Sequence, residues 1–223
     1  TDIYDVMYSP DGDLYTKNDS FILYSQNNGE TFTVIDWPSG TFPPYDGTNL
    51  YVLDDDVLFI NDFLGYCYYS INNGQSWQLG GQLFLSIETV ARMVDDFIYL
   101  ADPSSIGAGI IARINVSTGQ LEIIDILRLA IPYDPIYCQI IEDGTVYMLG
   151  IDPSGPQSEN HLLQYKFGQE VESLGLYPNP TDAWSFFAVG STLYNFGLNS
   201  AEVFNGIEFQ PLTYYGLPQD GEK

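Results

Sequence analysis

The chain has 223 residues and carries 30 acidic side chains against 6 lysines and arginines, for a formal net charge of −24. Such a field repels phosphate backbones and anionic lipid surfaces, which excludes nucleic acid as an expected partner. No apolar run reaches the roughly 20 residues needed to cross a bilayer, so membrane insertion is not expected. Aromatic side chains make up 15% of the chain, a composition typical of pleated, half-buried strands.

Pairs of apolar strands recur along the chain. In chain order, the first strands of the pairs read IYDVMYS, NLYVLD, TVARMV, IYCQII and AWSFFAV. An acidic or glycine turn follows each of them, and the second strands read DLY, VLFI, FIYL, VYML and LYNF. Asp11-Gly12 and Asp143-Gly144 lie at two of these turns. An Asp-Gly pair between apolar runs predicts a type I′ hairpin turn, in which both central residues have φ > 0.

A second motif gives the period of the repeat. SQNNGETF at residues 25–32 aligns with SINNGQSW at residues 70–77, an offset of 70 − 25 = 45 residues. A third copy, NVSTGQLE, places Gly119 another 45 residues after Gly74. Two hairpins in each repeat make four antiparallel strands, which is the blade of a β-propeller. We therefore predict an all-β fold, a small β-propeller of about five four-stranded blades.

The repeat also predicts the domain organisation. An all-β ring of this size routinely forms one domain, so we expect a single propeller domain over residues 1–223. The expected blades cover approximately residues 1–37, 46–80, 88–126, 134–175 and 182–213.

The repeated motif resembles the S-x-D-x-G-x-T-W Asp-box of bacterial neuraminidase-type (BNR) repeats, which occur in sialidases, xyloglucanases, sortilin-like receptors and photosystem assembly factors. The matching positions are Ser25, Asn27, Gly29, Thr31 and Phe32 in the first copy and Ser70, Asn72, Gly74, Ser76 and Trp77 in the second. Asparagine replaces aspartate at the third position, and asparagine also closes such turns. In that family the box joins the third and fourth strands on the side away from the active site, and its aromatic residue packs between sheets. The resemblance therefore implies a structural role.

The arginines argue against sialidase chemistry, the first activity that the resemblance suggests. A sialidase needs three arginines that converge on the substrate carboxylate from several blades. This chain has three in total, Arg92, Arg113 and Arg128, and all fall in the third repeat or in the linker after it. We expect a non-catalytic binding or structural module. The alternative is a glycoside hydrolase that acts on a neutral sugar polymer through axial carboxylates.

Acidic residues precede the first strand of each repeat. In a propeller these linkers lie around one mouth of the central channel, so the side chains are expected to form a ring. Carboxylates accept hydroxyl protons and aromatic rings stack on sugar C–H faces, while a hard cation such as calcium also binds carboxylate oxygens. The predicted binding residues are Asp2, Asp46, Glu88, Asp134, Asp182, Tyr45, Tyr133 and Tyr177, with Asp46, Asp134 and Asp182 as candidate metal ligands. The alternative is that each acid caps a turn and each ring wedges between blades.

The sequence also suggests where the module works. LYPNPTD at residues 176–182 resembles the start of a sorting tail of some outer-membrane export systems, although the same stretch fits a linker between blades. We expect an extracellular, cell-surface or virion protein whose partner is a glycan or another protein.

The sequence also predicts the positions of the two cysteines and the one histidine. Cys67 and Cys138 lie in apolar strand patterns of different repeats, which predicts buried free thiols. His161 has no nearby His or Cys that would make a zinc site, and its polar neighbours predict a surface position.

Overall fold

The computed structural model describes residues 5–18, 20–39, 48–54, 56–86, 88–103, 109–125, 134–152, 159–176, 183–197 and 201–212. The chain divides into two compact units, Thr1–Ile131 and Pro132–Lys223. The single domain and the blade limits expected from the sequence stay predictions. Within the residues described, no helical segment has the length and hydrophobicity needed to cross a membrane.

The first unit contains three four-stranded sheets. The first sheet consists of β1 (Asp5–Tyr8), β2 (Leu14–Lys17), β3 (Ile22–Ser25) and β4 (Thr33–Ile35). The second sheet consists of β5 (Asn49–Asp54), β6 (Val57–Asn61), β7 (Tyr66–Ser70) and β8 (Gln78–Gln82). The third sheet consists of β9 (Val90–Val94), β10 (Phe97–Asp102), β11 (Ile110–Asn115) and β12 (Leu121–Asp125).

The second unit contains two more four-stranded sheets. The fourth sheet consists of β13 (Asp134–Ile140), β14 (Val146–Asp152), β15 (Glu159–Tyr165) and β16 (Glu172–Leu176). The fifth sheet consists of β17 (Ala183–Val189), β18 (Thr192–Gly197), β19 (Ala201–Phe204) and β20 (Phe209–Pro211). All strand pairs are antiparallel neighbours in chain order, which confirms the prediction of an all-β chain with five four-stranded repeats.

Neighbouring sheets of one unit pack against each other and bury a core between them. The first strands of successive sheets are in contact, β1 with β5 and β5 with β9 in the first unit, and β13 with β17 in the second. The position of β6 between two sheets explains why its sequence is apolar on both faces. Leu58 and Ile60 belong to the cluster shared with the first sheet, and Phe59 belongs to the cluster shared with the third. Alternate residues of a strand point to opposite faces, so a strand between two sheets is buried on both.

The Asp11-Gly12 turn differs from the type I′ prediction, because only Gly12 has a positive φ, of 93°. Ser9 N donates to Asp13 O at 2.9 Å and Gly12 N donates to Ser9 O at 3.0 Å, which closes a three-residue loop. In such loops a type I turn is followed by one residue in the left-handed region, and proline before Asp11 favours the type I part. The turn at residues 142–144 has the same hydrogen bonds, with a positive φ at its glycine only.

Candidate functional site

The two copies of the SxNNG motif form turns with the same hydrogen bonds. We call residues 25–32 turn 1 and residues 70–77 turn 2. In turn 1, Ser25 Oγ accepts a hydrogen bond from Gly29 N and donates one to Asn27 Oδ1, both at 2.9 Å. Asn27 Oδ1 also accepts a hydrogen bond from Thr31 N at 2.9 Å. In turn 2 the same three contacts measure 2.8, 2.9 and 2.9 Å and join Ser70, Gly74, Asn72 and Ser76.

The asparagine at the third position donates a hydrogen bond at a place where an ionised aspartate could only accept one. Asn72 Nδ2 donates to Ser76 Oγ at 2.8 Å, and the corresponding contact in turn 1 measures 2.9 Å. The next two residues, Asn73 and Gly74, have φ values of 52° and 73°. Two consecutive positive φ values are the type I′ geometry, so this geometry is present at the Asn-Gly pairs and not at the Asp-Gly pairs.

The aromatic residues that end the two turns differ in burial. Trp77 packs against the core cluster between the first and second sheets, and its Nε1 donates to the carbonyl oxygen of Asp36 at 3.1 Å. Phe32 is 43% exposed. The expectation that the box aromatic packs between sheets therefore holds for Trp77 and is wrong for Phe32 in the part of the chain described.

A groove of about 420 Å³ lies between the first sheet and turn 2. Its volume is in the range of small-ligand pockets, roughly 300 to 1,000 Å³. The lining includes three aromatic residues and three polar ones, namely Tyr24, Trp37, Trp77, Asp36, Asn73 and Gln75. The groove therefore combines flat apolar faces with a carboxylate and two amides.

The polar atoms of the three rings are either hydrogen-bonded within the protein or buried. The Tyr24 hydroxyl donates to Asp13 Oδ2 at 2.5 Å, and Trp77 Nε1 is bonded to Asp36 O. The indole nitrogen of Trp37 is buried. Burial, followed by the hydrogen bond to Asp13, raises the pKa of Tyr24 to about 12, so this hydroxyl stays neutral at physiological pH. The rings therefore present apolar faces rather than hydrogen-bond donors.

Most of the predicted acidic ring falls outside the described residues. The predicted binding residues that lie outside the described part of the chain are Asp2, Asp46, Asp182, Tyr45, Tyr133 and Tyr177. Asp134 begins β13 opposite Ile151, and Glu88 is an exposed residue of the linker before β9. Among the residues described, no three His, Cys, Asp or Glu side chains are grouped as metal ligands. The ring and its calcium alternative stay predictions.

The sequence analysis missed a buried carboxylate that holds one of these linkers. Asp102 ends β10 and is fully buried. Its Oδ2 accepts a hydrogen bond from Ser86 N, and its Oδ1 accepts one from Ser86 Oγ at 2.9 Å. Thr89 Oγ1 in turn donates to Ser86 O at 2.8 Å. Asp102 thus fixes the backbone on both sides of Glu88. The one sequence signal is an acid directly after the apolar run FIYLA, and its partner lies 16 residues earlier, in the linker before the third sheet.

Another acidic turn residue follows the second strand of the second sheet. Asp62 is buried, and its Oδ1 accepts hydrogen bonds from the backbone nitrogens of Leu64 at 3.0 Å and Tyr66 at 2.8 Å. Like Asp102, it caps backbone donors at the end of a strand. These two carboxylates are therefore part of the scaffold.

The cysteines and the histidine are not grouped into a reactive site. Cys67 and Cys138 are buried thiols outside any disulfide, as predicted, and burial raises the pKa of the Cys67 thiol to about 12. The surface prediction for His161 holds only in part, because the residue is half-buried. His161 lies within β15, opposite Gly150 of β14 and Leu176 of β16, and its Nδ1 is buried. The two polar residues directly before it, Glu159 and Asn160, already belong to the strand, because β15 begins at Glu159.

The sequence matches no protein-family model and no curated protein. The likeness to known proteins is structural. The structure of YCF48 bound to D1 peptide superimposes with a TM-score of 0.59 at 10% identity, over 92% of this chain and 65% of that chain. PorZ, a bacterial surface component of the type-IX secretion system of Porphyromonas gingivalis, gives a TM-score of 0.59 at 12% identity, over 92% and 27% of the two chains.

A glycoside hydrolase is also similar. The GH74 xyloglucanase from Xanthomonas campestris gives a TM-score of 0.52 at 14% identity, over 90% of this chain and 36% of that chain. The chain thus spans less than two thirds of the length of each of these three proteins. Identities this low show the fold and not the function. With five four-stranded antiparallel sheets and these structural likenesses, the chain has the fold of a small β-propeller.

Proposed function

We propose that this chain is a non-catalytic binding module of the β-propeller class, and that it engages a ligand in the groove between the first sheet and turn 2. The groove itself carries the proposal, because it joins about 420 Å³ of open space to three aromatic rings and an exposed carboxylate. Aromatic rings supply large contact areas at a low entropic cost, and a few polar groups then orient the ligand.

In this proposal turns 1 and 2 are Asp-boxes with a structural role. Their serine and asparagine side chains bond within the turn, which leaves them little capacity to bind a ligand. Turn 2 instead positions the groove wall. The Tyr15 hydroxyl donates to Asn73 Oδ1 at 3.1 Å, and Trp77 Nε1 donates to Asp36 O, so the middle and the last residue of the turn are attached to the first sheet.

The proposed partner is a glycan or a protein, met outside the cell or on a cell or virion surface. Support for a peptide or protein comes from the likeness to YCF48, whose structure holds a D1 peptide. Support for the location comes from the likeness to PorZ, a bacterial surface component. The net charge of −24 disfavours anionic partners of either class.

The test measures binding and turnover on one preparation. Arrays of neutral glycans and of peptides are probed with the intact chain, with Trp37→Leu, and with Phe32→Leu as the matched control. The control removes an exposed ring outside the groove. We expect array binding that Trp37→Leu reduces at least about tenfold, the equivalent of roughly 1.4 kcal/mol. Phe32→Leu should leave it unchanged.

Two outcomes would contradict the proposal. Arrays without any binding would contradict the proposal of a binding module. Binding by Trp37→Leu equal to that of the intact chain would show that the groove is not the binding site. Release of reducing sugar from xyloglucan or arabinan at an enzyme-like rate would favour the glycoside hydrolase alternative instead.

A further inference from the structure

The groove lies in a stretch of chain without basic side chains. Residues 18–91 contain nine Asp and Glu and no lysine, arginine or histidine. Every residue that lines the groove lies within residues 24–77. Lys17, just before this stretch, is held 3.0 Å from Asp5. Among the residues described, no cation pairs with the exposed Asp36 carboxylate at the groove. The groove therefore offers negative charge that the surrounding chain does not neutralise.

The ring faces favour a cation over a sugar. A sugar hydroxyl both donates and accepts hydrogen bonds, so a sugar site needs protein donors as well as acceptors. The Tyr24 hydroxyl and the Trp77 indole already donate within the protein, and the Trp37 indole nitrogen is buried. What remains is two indole rings, a phenol ring, the amides of Asn73 and Gln75, and the Asp36 carboxylate, which is the one charged group of the lining. A cation neutralises that charge, whereas a neutral sugar leaves it unpaired. The faces of tryptophan and tyrosine attract cations through their ring quadrupole, with tryptophan the strongest.

The third sheet contains the same chemistry with the cation supplied from within. The Arg113 guanidinium lies over the Phe97 ring, 4.6 Å from its centroid. Its Nε donates to Glu122 Oε2 at 2.7 Å. One arginine thus contacts a ring face and a carboxylate together. The groove presents rings and a carboxylate in the same way, but the cation must come from another molecule.

We propose that the groove holds the side chain of an arginine or lysine of a partner protein, with the charged group beside Asp36 and the aliphatic stem on the Trp37 and Trp77 rings. This proposal rests on the proposed binding function and names its ligand. Arginine fits better than lysine, because its planar guanidinium stacks on aromatic faces and is less strongly hydrated. The partner is accordingly a basic segment of a protein.

The experiment follows the indole signals of the groove tryptophans by NMR. The intact chain is titrated with the peptide Ac-Gly-Gly-Arg-Gly-Gly-NH2, with its lysine analogue, with its citrulline analogue and with a xyloglucan oligosaccharide. Citrulline has nearly the shape of arginine without its charge. We expect the arginine peptide to shift the Trp37 and Trp77 signals, and the citrulline peptide to bind at least about tenfold more weakly.

Two charge variants locate the effect. Asp36→Asn removes the exposed carboxylate at the groove, and Glu30→Gln removes an exposed carboxylate that does not line it. Both change the net charge equally. We expect Asp36→Asn to weaken arginine-peptide binding about three- to tenfold and Glu30→Gln to change it less than about twofold, because an exposed charge that does not line the groove interacts with the ligand only through screening solvent.

The outcomes separate this proposal from the one on which it rests. Equal binding of the arginine and citrulline peptides, or equal effects of the two charge variants, would overturn the cation site. Indole shifts with the oligosaccharide and not with the peptides would also overturn it, while the binding function would stand. No shift with any of the four probes, together with blank arrays, would remove both.

Discussion

Gly74 of turn 2 lies so close to Ile35 of β4 that a Cβ atom at position 74 would overlap the Ile35 Cγ2 atom. The same glycine has a φ of 73°, in the left-handed region. Two separate constraints therefore require glycine here, one from the turn and one from the neighbouring sheet. The contact shows how turn 2 is seated on the first sheet, and hence how the groove wall is placed.

Gly74→Ala should destabilise the fold more than an alanine at a glycine with the same backbone strain and free space. Gly12 is the matched control, since its φ is 93° and a Cβ there meets nothing within 4 Å. We expect Gly12→Ala to lower the free energy of unfolding by about 1–2 kcal/mol through strain alone. Gly74→Ala should lower it by about 2–5 kcal/mol, because overpacking against Ile35 is added. Urea unfolding measures both, and equal losses would show that the turn shifts away from Ile35 at little cost.

Asn72→Asp should be tolerated and Asn72→Ala should not. Asparagine Oδ1 accepts hydrogen bonds from Ser76 N and Ser70 Oγ, and an aspartate keeps both acceptors. Alanine leaves them without a partner, so we expect a loss of about 1–3 kcal/mol in the free energy of unfolding, against less than about 1 kcal/mol for Asn72→Asp. The exposed Gln26→Ala in turn 1 serves as the control. A similar loss for Asp and Ala at position 72 would mean that Nδ2 to Ser76 Oγ is the important contact.

Asp102→Asn should weaken the linker before the third sheet. Both carboxylate oxygens accept hydrogen bonds from Ser86 in a fully buried position, and an asparagine replaces one acceptor with a donor. We expect a loss of about 2–3 kcal/mol in the free energy of unfolding. Asp96→Asn, in an exposed turn of the same sheet, should change it by less than about 0.5 kcal/mol. Chemical unfolding of both variants measures the difference, and an unchanged Asp102→Asn would show that the hydrogen bonds to Ser86 contribute little to stability.

Stability should fall as the pH rises above about 9. Burial raises the pKa of the Cys67 thiol from 9.0 to about 12 and that of Tyr51 from 10.0 to about 12. The unfolded chain releases these protons at lower pH than the folded chain does. Each group therefore contributes stability that is present below its unfolded pKa and is lost as the pH rises toward the folded pKa, at up to about 1.4 kcal/mol per pH unit.

The variant Cys67→Ala measures how much the Cys67 thiol contributes to the fall in stability at high pH. Its cavity lowers the free energy of unfolding at every pH, whereas the difference in slope between the two chains at about pH 9 to pH 10 reports the thiol, because the tyrosines titrate in both chains alike. We expect a flatter slope in the variant over this interval. Denaturant unfolding along a pH series measures it. Identical slopes would show that the Cys67 pKa is not raised in the folded chain.

Whether a prediction from the sequence was correct depended on how many residues separate a feature from its physical cause. The type I′ geometry at Asn73-Gly74 was predictable because it follows from two adjacent residues that both accept positive φ. The same reasoning was wrong at Asp11-Gly12, where a preceding proline favours a three-residue loop. The strand that contains His161 was missed for a related reason. Polar residues directly before His161 hid the start of this strand, and its register is set by the neighbouring strands.

The sequence by itself determined the all-β class, the repeat and the five four-stranded sheets, because alternation and turn chemistry act over a few residues and the repeat multiplies the signal. It also determined the two SxNNG turns, because the hydrogen bonds that Ser25, Asn27, Ser70 and Asn72 make close within each motif. Only the tertiary structure decided that Trp77 meets Asp36, that Phe32 stays exposed and that Asp102 bonds to Ser86. The groove belongs to this second group, because its walls come from two sheets. The side chains that meet in the groove depend on how whole sheets pack against each other, and the local sequence pattern does not predict this packing.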